Sequence, residues 1–150
     1  MKFREAGLPL QFVQDNHSRS AQGILRGLHY QTEHSQGKLV RVTSGSVFDV
    51  VVDLRMNSAT FGQWVGVELS DTNHRMLWVP PCFAHGFYVI SESADFLYKC
   101  TDKYSPEHEQ SIVWNDPTLN IDWPLVSGST PQVSDKDSAG LLFKDAPYFG

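Results

Sequence analysis

Short stretches in which apolar and polar residues alternate recur along the whole sequence, with turn-forming residues between them. In residues 47–54, alternate positions put three apolar side chains on one face of an extended chain and Asp49 and Asp53 on the other. Residues 11–13 begin an extended run that gives way to a polar segment at 14–18. Strands are predicted at residues 23–30, 38–43, 47–54, 61–69, 76–79, 85–90, 95–101 and 111–114, with an edge piece at 121–125.

The even spacing of these strands indicates the fold class. No long helical period is present before residues 135–142, where a short C-terminal helical segment is predicted. This pattern is typical of an all-β sandwich or barrel, and a jelly roll is among the leading candidates. Because the chain has 150 residues and 41% of them are hydrophobic, we expect a single domain over residues 1–150.

The negative net charge of the chain disfavours some classes of binding partner on physical grounds, because like charges repel. A formal net charge of -5 argues against a general nucleic-acid binder, which would present a basic surface. Residues 1–10 are interrupted by charge, Gly7 and Pro9, so we expect neither a signal peptide nor a membrane span, and a cytoplasmic location. Cys82 and Cys100 form no Cys-x-x-Cys pair, and we expect both to be reduced.

Candidate chemistry is concentrated in residues 24–38. Arg26 and Lys38 are cations, and His29 adds an imidazole, the type of side chain whose ordinary pKa lies closest to neutral pH. This grouping suits an anionic substrate and proton transfer, because a cation can hold a phosphate or stabilise an oxyanion while a histidine takes up and returns a proton. The alternative is a surface hairpin with scattered charges.

A second histidine, His85, follows a proline turn at residues 80–81, which fixes the backbone before it. His85 is a candidate catalytic group, or else a core histidine with satisfied hydrogen bonds. If the face that carries Asp49 and Asp53 lines a barrel interior, these carboxylates need partners, because a buried unpaired charge is costly. His29 and His85 are the candidates for that pairing.

Two tyrosines are further candidates for the site. Tyr98 and Tyr104 could each serve in chemistry or in binding, since a tyrosine hydroxyl can act as a general acid and its ring can stack on a base. Both positions also suit simple aromatic packing.

The sequence lacks the ligand spacing of a metal-binding barrel. Small jelly-roll barrels often carry a His-x-His pair with further acidic and histidine ligands, but at the matching place this chain reads His-Tyr-Gln from His29. Side chains of a suitable kind are present at His29, Glu33, His34 and His85. Because Glu33 and His34 fall in a predicted turn, we expect no metal.

Eight sequence motifs stand in order along the chain. They are Phe-Val-Gln-Asp-Asn-His-Ser from Phe12, Leu-Arg-Gly-Leu-His-Tyr-Gln from Leu25, Gln-Gly-Lys-Leu-Val-Arg from Gln36, Val-Phe-Asp-Val from Val47, Phe-Gly-Gln-Trp from Phe61, Phe-Ala-His-Gly-Phe from Phe83, Phe-Leu-Tyr-Lys from Phe96 and Ser-Ile-Val-Trp-Asn-Asp from Ser111. Together they closely resemble the dTDP-4-dehydrorhamnose 3,5-epimerase family, and the match runs from residue 12 to residue 137.

This resemblance implies a cupin-like jelly-roll β-barrel that works as a homodimer without a metal or other cofactor. Members invert carbon 3 and carbon 5 of dTDP-4-dehydro-6-deoxy-D-glucose, giving dTDP-4-dehydro-L-rhamnose. Carried over by position, His29 resembles the base, assisted by Asp137, and Tyr98 resembles the acid on the opposite face of the sugar. Lys38 and His85 resemble the groups around the 4-keto oxygen.

The resemblance also implies a set of substrate-binding residues. By position they are Arg26 for the diphosphate, Gln14 and Asn16 for the nucleotide, Tyr104 stacking on thymine, and Glu109 and Lys136 as further contacts. Asp49 is a candidate supporting residue. The chemistry agrees, because a carbonyl acidifies the hydrogens on both neighbouring carbons, so that a base, an acid on the other face and an oxyanion clamp suffice for inversion.

The chain departs from a simple picture in two places. Arg26 and His29 have opposite parity on a regular strand, so we expect Gly27 to mark a bulge that turns both toward the pocket. Family members usually begin with a further segment containing an Asp-x-Arg-Gly-type motif, and this sequence starts after it, so two nucleotide contacts have no counterpart here. Three alternatives stay open: a monofunctional 3- or 5-epimerase, a metal-dependent cupin, and a nucleotide-sugar-binding protein without turnover.

Overall fold

The computed structural model describes residues 2–8 and 11–150, apart from the side chain of Ser127. The strands are β1 (Gln14–Ala21), β2 (Leu25–Gln31), β3 (Lys38–Ser44), β4 (Ser46–Asp53), β5 (Trp64–Ser70), β6 (Met76–Val79), β7 (Phe83–Val89), β8 (Ser93–Cys100) and β9 (Glu109–Ser111). The helical segments are α1 (Lys2–Glu5), α2 (Asp135–Ser138) and 3-10 turns at Pro106–His108, Val126–Gly128 and Phe143–Asp145.

The strands form two antiparallel sheets. One has the order β1-β8-β3-β6 and the other the order β5-β4-β7-β2-β9. Successive strands from β1 to β4 alternate between the two sheets, as do those from β5 to β9. This connectivity is typical of two sheets that pack face to face around a shared interior. The all-β prediction is therefore confirmed.

The space between the sheets is filled by apolar side chains at one end. Val40, Val42 and Phe96 from the four-stranded sheet pack there with Val47 and Phe87 from the five-stranded sheet. The alternation predicted for β4 is confirmed, since its odd-numbered positions 47 and 49 pair with inward-facing neighbours while 48, 50 and 52 pack on the opposite side. The interior therefore has an apolar part and, beside it, the polar face that carries Asp49.

The outer face of the five-stranded sheet is covered by the C-terminal part of the chain. Val50 and Val52 of β4 pack there against Trp123 and Phe143, all within one buried cluster. Since this sheet is apolar on both faces, it needs a cover, and residues 112–149 supply it. Any side chain in that cover is thereby fixed relative to β2, which lies in the same sheet.

The first strand starts later than predicted. Residues 11–13 are irregular, and the polar segment 14–18 belongs to β1. The strand alternates between half-buried and exposed residues, and the half-buried Gln14, Asn16 and Ser18 line a cavity. A polar strand is stable here because its inner face meets a polar cavity and not the apolar core.

The fifth strand also starts later than predicted, at Trp64. Residues 61–63 belong to a turn in which the Gly62 N–H donates to the Asp53 carbonyl and the Phe61 N–H donates to the Ser58 carbonyl. Gly62 has a φ of 73°, which favours glycine. The prediction of a strand from residue 61 was wrong because the alternation of apolar residues extends into this turn.

Three predictions for the C-terminal third were also wrong in extent. The last strand is Glu109–Ser111 and not 111–114. Ile112 still exchanges two backbone hydrogen bonds with Leu28, but the next residue, Val113, donates its N–H to the Leu141 carbonyl. Residues 121–125 form no strand, since Trp123 turns into the cluster that covers the five-stranded sheet. The predicted helix at 135–142 ends at Ser138.

Candidate active site

A bulge in β2 turns two candidate site residues toward the same side. Arg26 pairs with Phe87 and His29 pairs with His85, so two residues of β2 lie opposite one residue of β7. The extra residue changes the parity of the strand, and both Arg26 and His29 line the same cavity. The bulge predicted at Gly27 is therefore confirmed.

Only glycine fits at the centre of this bulge. Gly27 has a φ of +118°, and a Cβ atom built there would lie 2.6 Å from the Cα atom of Gly86 and 2.8 Å from the His85 carbonyl oxygen. Two strands thus approach each other at a pair of glycines. This close approach sets where His29 lies relative to His85 on the neighbouring strand.

The cavity beside the bulge has a volume of about 380 Å³, which suits a small-molecule ligand. Strands of both sheets contribute to its wall. Nine of the residues expected from the sequence line it: Gln14, Asn16, Arg26, His29, Lys38, His85, Tyr98, Tyr104 and Glu109. Lys136 and Asp137 line an adjoining hollow that shares Arg26 and His29 with the cavity.

His29 is paired with a buried carboxylate. The Nε2 atom of His29 lies 2.5 Å from Oδ1 of Asp137, and the other oxygen, Oδ2, accepts a hydrogen bond from the Gly27 N–H at 3.1 Å. Burial raises the pKa of Asp137, but the bonds from His29 and Gly27 outweigh it and hold that pKa below its ordinary value. An ionised Asp137 accepts a proton-bearing Nε2, which leaves the lone pair of His29 on Nδ1.

Asp137 is held in turn by a cap. It lies in the short helix α2, and the Asp137 N–H donates to Oγ of Ser134, the residue before the helix. The side chain of Asp137 is 3% exposed. The carboxylate is therefore fixed from both its backbone and its side chain before any ligand binds.

Tyr98 faces the cavity from the other sheet. It belongs to β8, and its ring centroid lies 5.9 Å from that of Phe96 and 5.8 Å from Nζ of Lys38. Burial raises the pKa of the Tyr98 hydroxyl, so it stays protonated at neutral pH. Burial also lowers the pKa of Lys38. A protonated phenol and an amine thus lie beside each other on the wall.

A second histidine–aspartate pair lies inside the barrel. Nε2 of His85 is 2.7 Å from Oδ1 of Asp49, which has no exposed surface. Among the described residues, Oδ2 of Asp49 has no hydrogen-bond partner. Burial raises the pKa of Asp49, against the opposing effect of His85 and Lys38. The predicted pairing of Asp49 with His85 is confirmed.

The predicted pairing of Asp53 with a histidine was wrong. Its carboxylate accepts hydrogen bonds from the guanidinium of Arg55 at 2.8 and 2.9 Å, and from Ser58 and Thr60 at 2.7 and 2.6 Å. These donors hold the pKa of Asp53 well below its usual range. Asp53 lies at the end of β4, where it fixes a turn, and it does not line the cavity.

The rim of the cavity carries a group of three polar side chains. The Tyr104 hydroxyl donates to Oε2 of Glu109 at 2.7 Å, and Nζ of Lys136 donates to the same oxygen. Burial raises the pKa of Glu109, but the bonds from Lys136 and Tyr104 outweigh it and keep that pKa below its ordinary value. The pKa of Tyr104 is raised, mainly by its bond to Glu109.

Sequence reasoning missed several residues of the wall. Phe87 and Phe96 line the cavity with stacked rings whose centroids are 4.3 Å apart. Gln31 and Gln36 line it as well. Gln31 ends the Leu-His-Tyr-Gln motif, two residues after His29 on the same strand, and this shared parity is the signal that could have identified it.

Residues 2–8 and 11–150 contain neither a metal-binding cluster nor a helix that could span a membrane. No group of three or more His, Cys, Asp or Glu side chains in that part of the chain is arranged to hold a metal ion. The helices found there are all too short to span a membrane.

Comparison with known proteins identifies the family. The sequence model of the dTDP-4-dehydrorhamnose 3,5-epimerase family matches residues 1–145. The chain belongs to this family. It is 63% identical over 148 residues to the dTDP-4-dehydrorhamnose 3,5-epimerase of Pseudomonas aeruginosa, a match that covers 98% of this chain and 81% of the relative.

Solved structures of sugar-nucleotide epimerases also match this chain. The Legionella pneumophila dTDP-6-deoxy-D-glucose-3,5-epimerase, solved in complex with dTDP-4-keto-L-rhamnose, matches with a TM-score of 0.93 and 56% identity over 97% of this chain and 77% of that one. A 3′-monoepimerase of Streptomyces bikiniensis, solved with dTDP-quinovose, matches with a TM-score of 0.86 and 32% identity over 94% and 71%. These likenesses confirm the cupin-like jelly roll.

Proposed function

We propose that this chain epimerises carbon 3 and carbon 5 of dTDP-4-dehydro-6-deoxy-D-glucose, giving dTDP-4-dehydro-L-rhamnose, with the isomerase chemistry of its family. One observation carries the mechanism: His29 and Tyr98 border the same cavity from facing sheets. A sugar ring held between the sheets has one face toward each residue. Inversion requires a proton to leave from one face and to arrive on the other.

His29 is the proposed base. Because Asp137 accepts the proton-bearing Nε2, the free lone pair lies on Nδ1, and this nitrogen takes the proton from the carbon next to the keto group. Asp137 is ionised and buried, so it also stabilises the imidazolium that forms.

Lys38 and His85 are the proposed oxyanion clamp. Removing the proton turns the ketone into an enolate, whose charge develops on the oxygen of carbon 4. Both side chains line the cavity, and Asp49 orients His85 from behind. Donors that are fixed before the reaction stabilise this charge without reorganising.

Tyr98 is the proposed acid. Its hydroxyl keeps its proton at neutral pH because burial raises the pKa. It delivers that proton to the enolate carbon on the face opposite His29, which completes inversion. Since the keto group lies between carbons 3 and 5, the same pair of residues serves both centres.

The remaining expected residues are proposed to bind the nucleotide. Arg26 meets the diphosphate, Gln14 and Asn16 contact the nucleotide, Tyr104 stacks on the thymine, and Glu109 and Lys136 contact the substrate further. All of them border the cavity or the hollow beside it. A nucleotide-sugar substrate and two free thiols, Cys82 and Cys100, fit a cytoplasmic location.

A homodimer is part of the proposal. It rests on the resemblance to the family, and an apolar depression on the outer face of the four-stranded sheet is compatible with it. Phe3 and Met76 line that depression and are each 43% exposed. Sedimentation at micromolar concentration should give a dimer, and a monomer would contradict this part of the proposal.

The deciding experiment is proton NMR of the protein with dTDP-4-dehydro-6-deoxyglucose in heavy water. Deuterium should enter at carbon 3 and carbon 5, and a reductase should trap the rhamnose-series product. The match to a 3′-monoepimerase makes single epimerisation the second candidate, and it would appear as inversion at one carbon only. Saturable dTDP binding without exchange would instead identify a binding protein.

A further inference from the structure

Gln31 joins two loops at the rim of the cavity through a buried amide. Its Oε1 atom accepts from the Ser105 N–H at 2.9 Å, and its Nε2 atom donates to the His34 carbonyl at 2.9 Å and to the Lys103 carbonyl at 3.3 Å. The residue is 4% exposed. Both ends of the amide are therefore occupied by backbone groups of the protein.

Two more glutamines hold the same stretch of backbone. Oε1 of Gln14 accepts from the Tyr104 N–H at 2.9 Å, and Nε2 of Gln36 donates to the Asp102 carbonyl at 2.8 Å. Together with the two bonds from Gln31, one backbone group of each residue in 102–105 is bound by a glutamine amide. We name residues 102–105 the amide-held loop.

The amide-held loop carries Tyr104, whose ring borders the cavity and is 48% exposed. Gln31, in contrast, stands on a strand with partners on both sides, since β2 pairs with β7 and β9. Residues 102–105 belong to no strand, so the hydrogen bonds from Gln31 hold this loop in a fixed position relative to the sheet.

We propose that Gln31 is a positioning residue for nucleotide binding: its buried amide fixes the amide-held loop so that the Tyr104 ring is in place before the nucleobase arrives. This inference rests on the proposed function, in which Tyr104 stacks on thymine. Ordering a loop in advance lowers the entropy that binding must otherwise overcome, so Gln31 acts on affinity. His29 lies on β2 and Tyr98 on β8, and each of these strands is hydrogen-bonded within its own sheet, so proton transfer does not depend on the loop.

Gln31→Leu tests the proposal, because it removes all three hydrogen bonds at similar size. The dissociation constant for dTDP, measured by calorimetry, should rise about tenfold, and KM for the dTDP-keto sugar should rise with it. The turnover number at saturating substrate should stay within about threefold of the wild type. Gln22→Leu is the matched control, since Nε2 of Gln22 also bonds a backbone carbonyl, that of Ile90, but lies outside the cavity.

A double-mutant cycle with Tyr104→Ala shows whether Gln31 acts through the tyrosine. If it does, the double variant should bind dTDP no more weakly than Tyr104→Ala alone, within about twofold. Gln31→Glu is the second variant, and it serves if Gln31→Leu does not fold. Its carboxylate still accepts from Ser105 but cannot donate to Lys103 or His34, so dTDP affinity should again fall.

Three results would overturn the proposal: wild-type affinity for dTDP in both Gln31 variants, a turnover number that falls as much as the affinity, or effects of Gln31 and Tyr104 that multiply. An epimerisation assay of the unmutated protein distinguishes failure of this inference from failure of the proposed function. Weaker dTDP binding in the variants of a protein that does not epimerise would uphold the inference and reject the function. Unchanged binding in the variants of an active epimerase would do the reverse.

Discussion

The Oδ1 atom of Asp137 lies 2.5 Å from the Nε2 atom of His29, although 108 positions separate the two residues in the sequence. The pairing joins the cover of the five-stranded sheet to the strand that carries the proposed base. It also decides which ring nitrogen of His29 is free. Several expected outcomes depend on this contact and on the geometry around it.

Asp137→Asn should lower the turnover number by about a hundredfold or more, with a smaller effect on KM. An asparagine can present its amide N–H₂ to Nε2, which moves the ring proton to Nδ1 and removes the free lone pair from the cavity. Proton exchange of the sugar in heavy water measures the loss. Asp135→Asn, at an exposed position in the same short helix, is the control. Exchange at the wild-type rate in Asp137→Asn would reject the role of the dyad.

Tyr98→Phe should separate exchange from inversion. Without the hydroxyl, His29 can still remove a proton and return a deuteron to the same face, so deuterium enters the sugar while trapped epimerised product falls by about a hundredfold or more. His29→Ala is the comparison, because it should abolish both signals. Inversion that survives in Tyr98→Phe at the wild-type rate would assign the acid to another residue.

Gly27→Ala should destabilise the fold by about 3 kcal/mol or more and remove activity, since the new Cβ meets the backbone of Gly86 and His85. Gly23→Ala is a matched control: Gly23 also has a positive φ, +80°, but a Cβ there has no atom within 4 Å. Backbone strain alone should lower the free energy of unfolding of Gly23→Ala by about 1 kcal/mol. Urea unfolding and a turnover assay check both variants. Equal losses in the two variants would mean that the close approach of β2 and β7 is unimportant.

Asp53→Asn should lower the free energy of unfolding at pH 7 by about 2 kcal/mol, because Arg55, Ser58 and Thr60 lose an ionised acceptor. The folded-state pKa of Asp53 is depressed, so the wild-type advantage is complete above the unfolded pKa of about 4, shrinks as the pH falls below that value, and is lost only as the pH falls through the folded-state pKa. Urea titrations at pH 7 and pH 3 should therefore show a smaller difference between the two proteins at the lower pH. Asp122→Asn, at an exposed position, is the control, and a difference that persists unchanged at pH 3 would contradict the linkage.

The sequence predicted the strands best where alternation serves a core. Residues 76–79 form a strand as predicted, and the faces of β4 are as the pattern indicates. The strand prediction failed where polar residues face a cavity, as in β1, because a run of polar residues is also typical of a loop. It also failed at Trp123, whose apolar neighbours pack as irregular chain over a sheet.

Some features of the candidate site could also be predicted from the sequence, and others could not. The cluster of Arg26, His29 and Lys38 could be predicted because these residues stand close together in the sequence, and the bulge followed from the parity of the strand. The partner of Asp53 could not be predicted, since Arg55 reaches it through a turn whose shape depends on side-chain bonds. Gln31 and Gln36 were not predicted because the partners of their amides are backbone groups, which leave no mark on composition.

The late position of Asp137 has a consequence for synthesis of the protein. All nine strands end by Ser111, so the ribosome releases a complete pair of sheets before the residue that completes the dyad. A nascent barrel would hold His29 without its carboxylate, and it would leave the apolar outer face of β4 bare. Docking of the last segment therefore covers the apolar outer face of β4 and brings Asp137 to the proposed base in a single event.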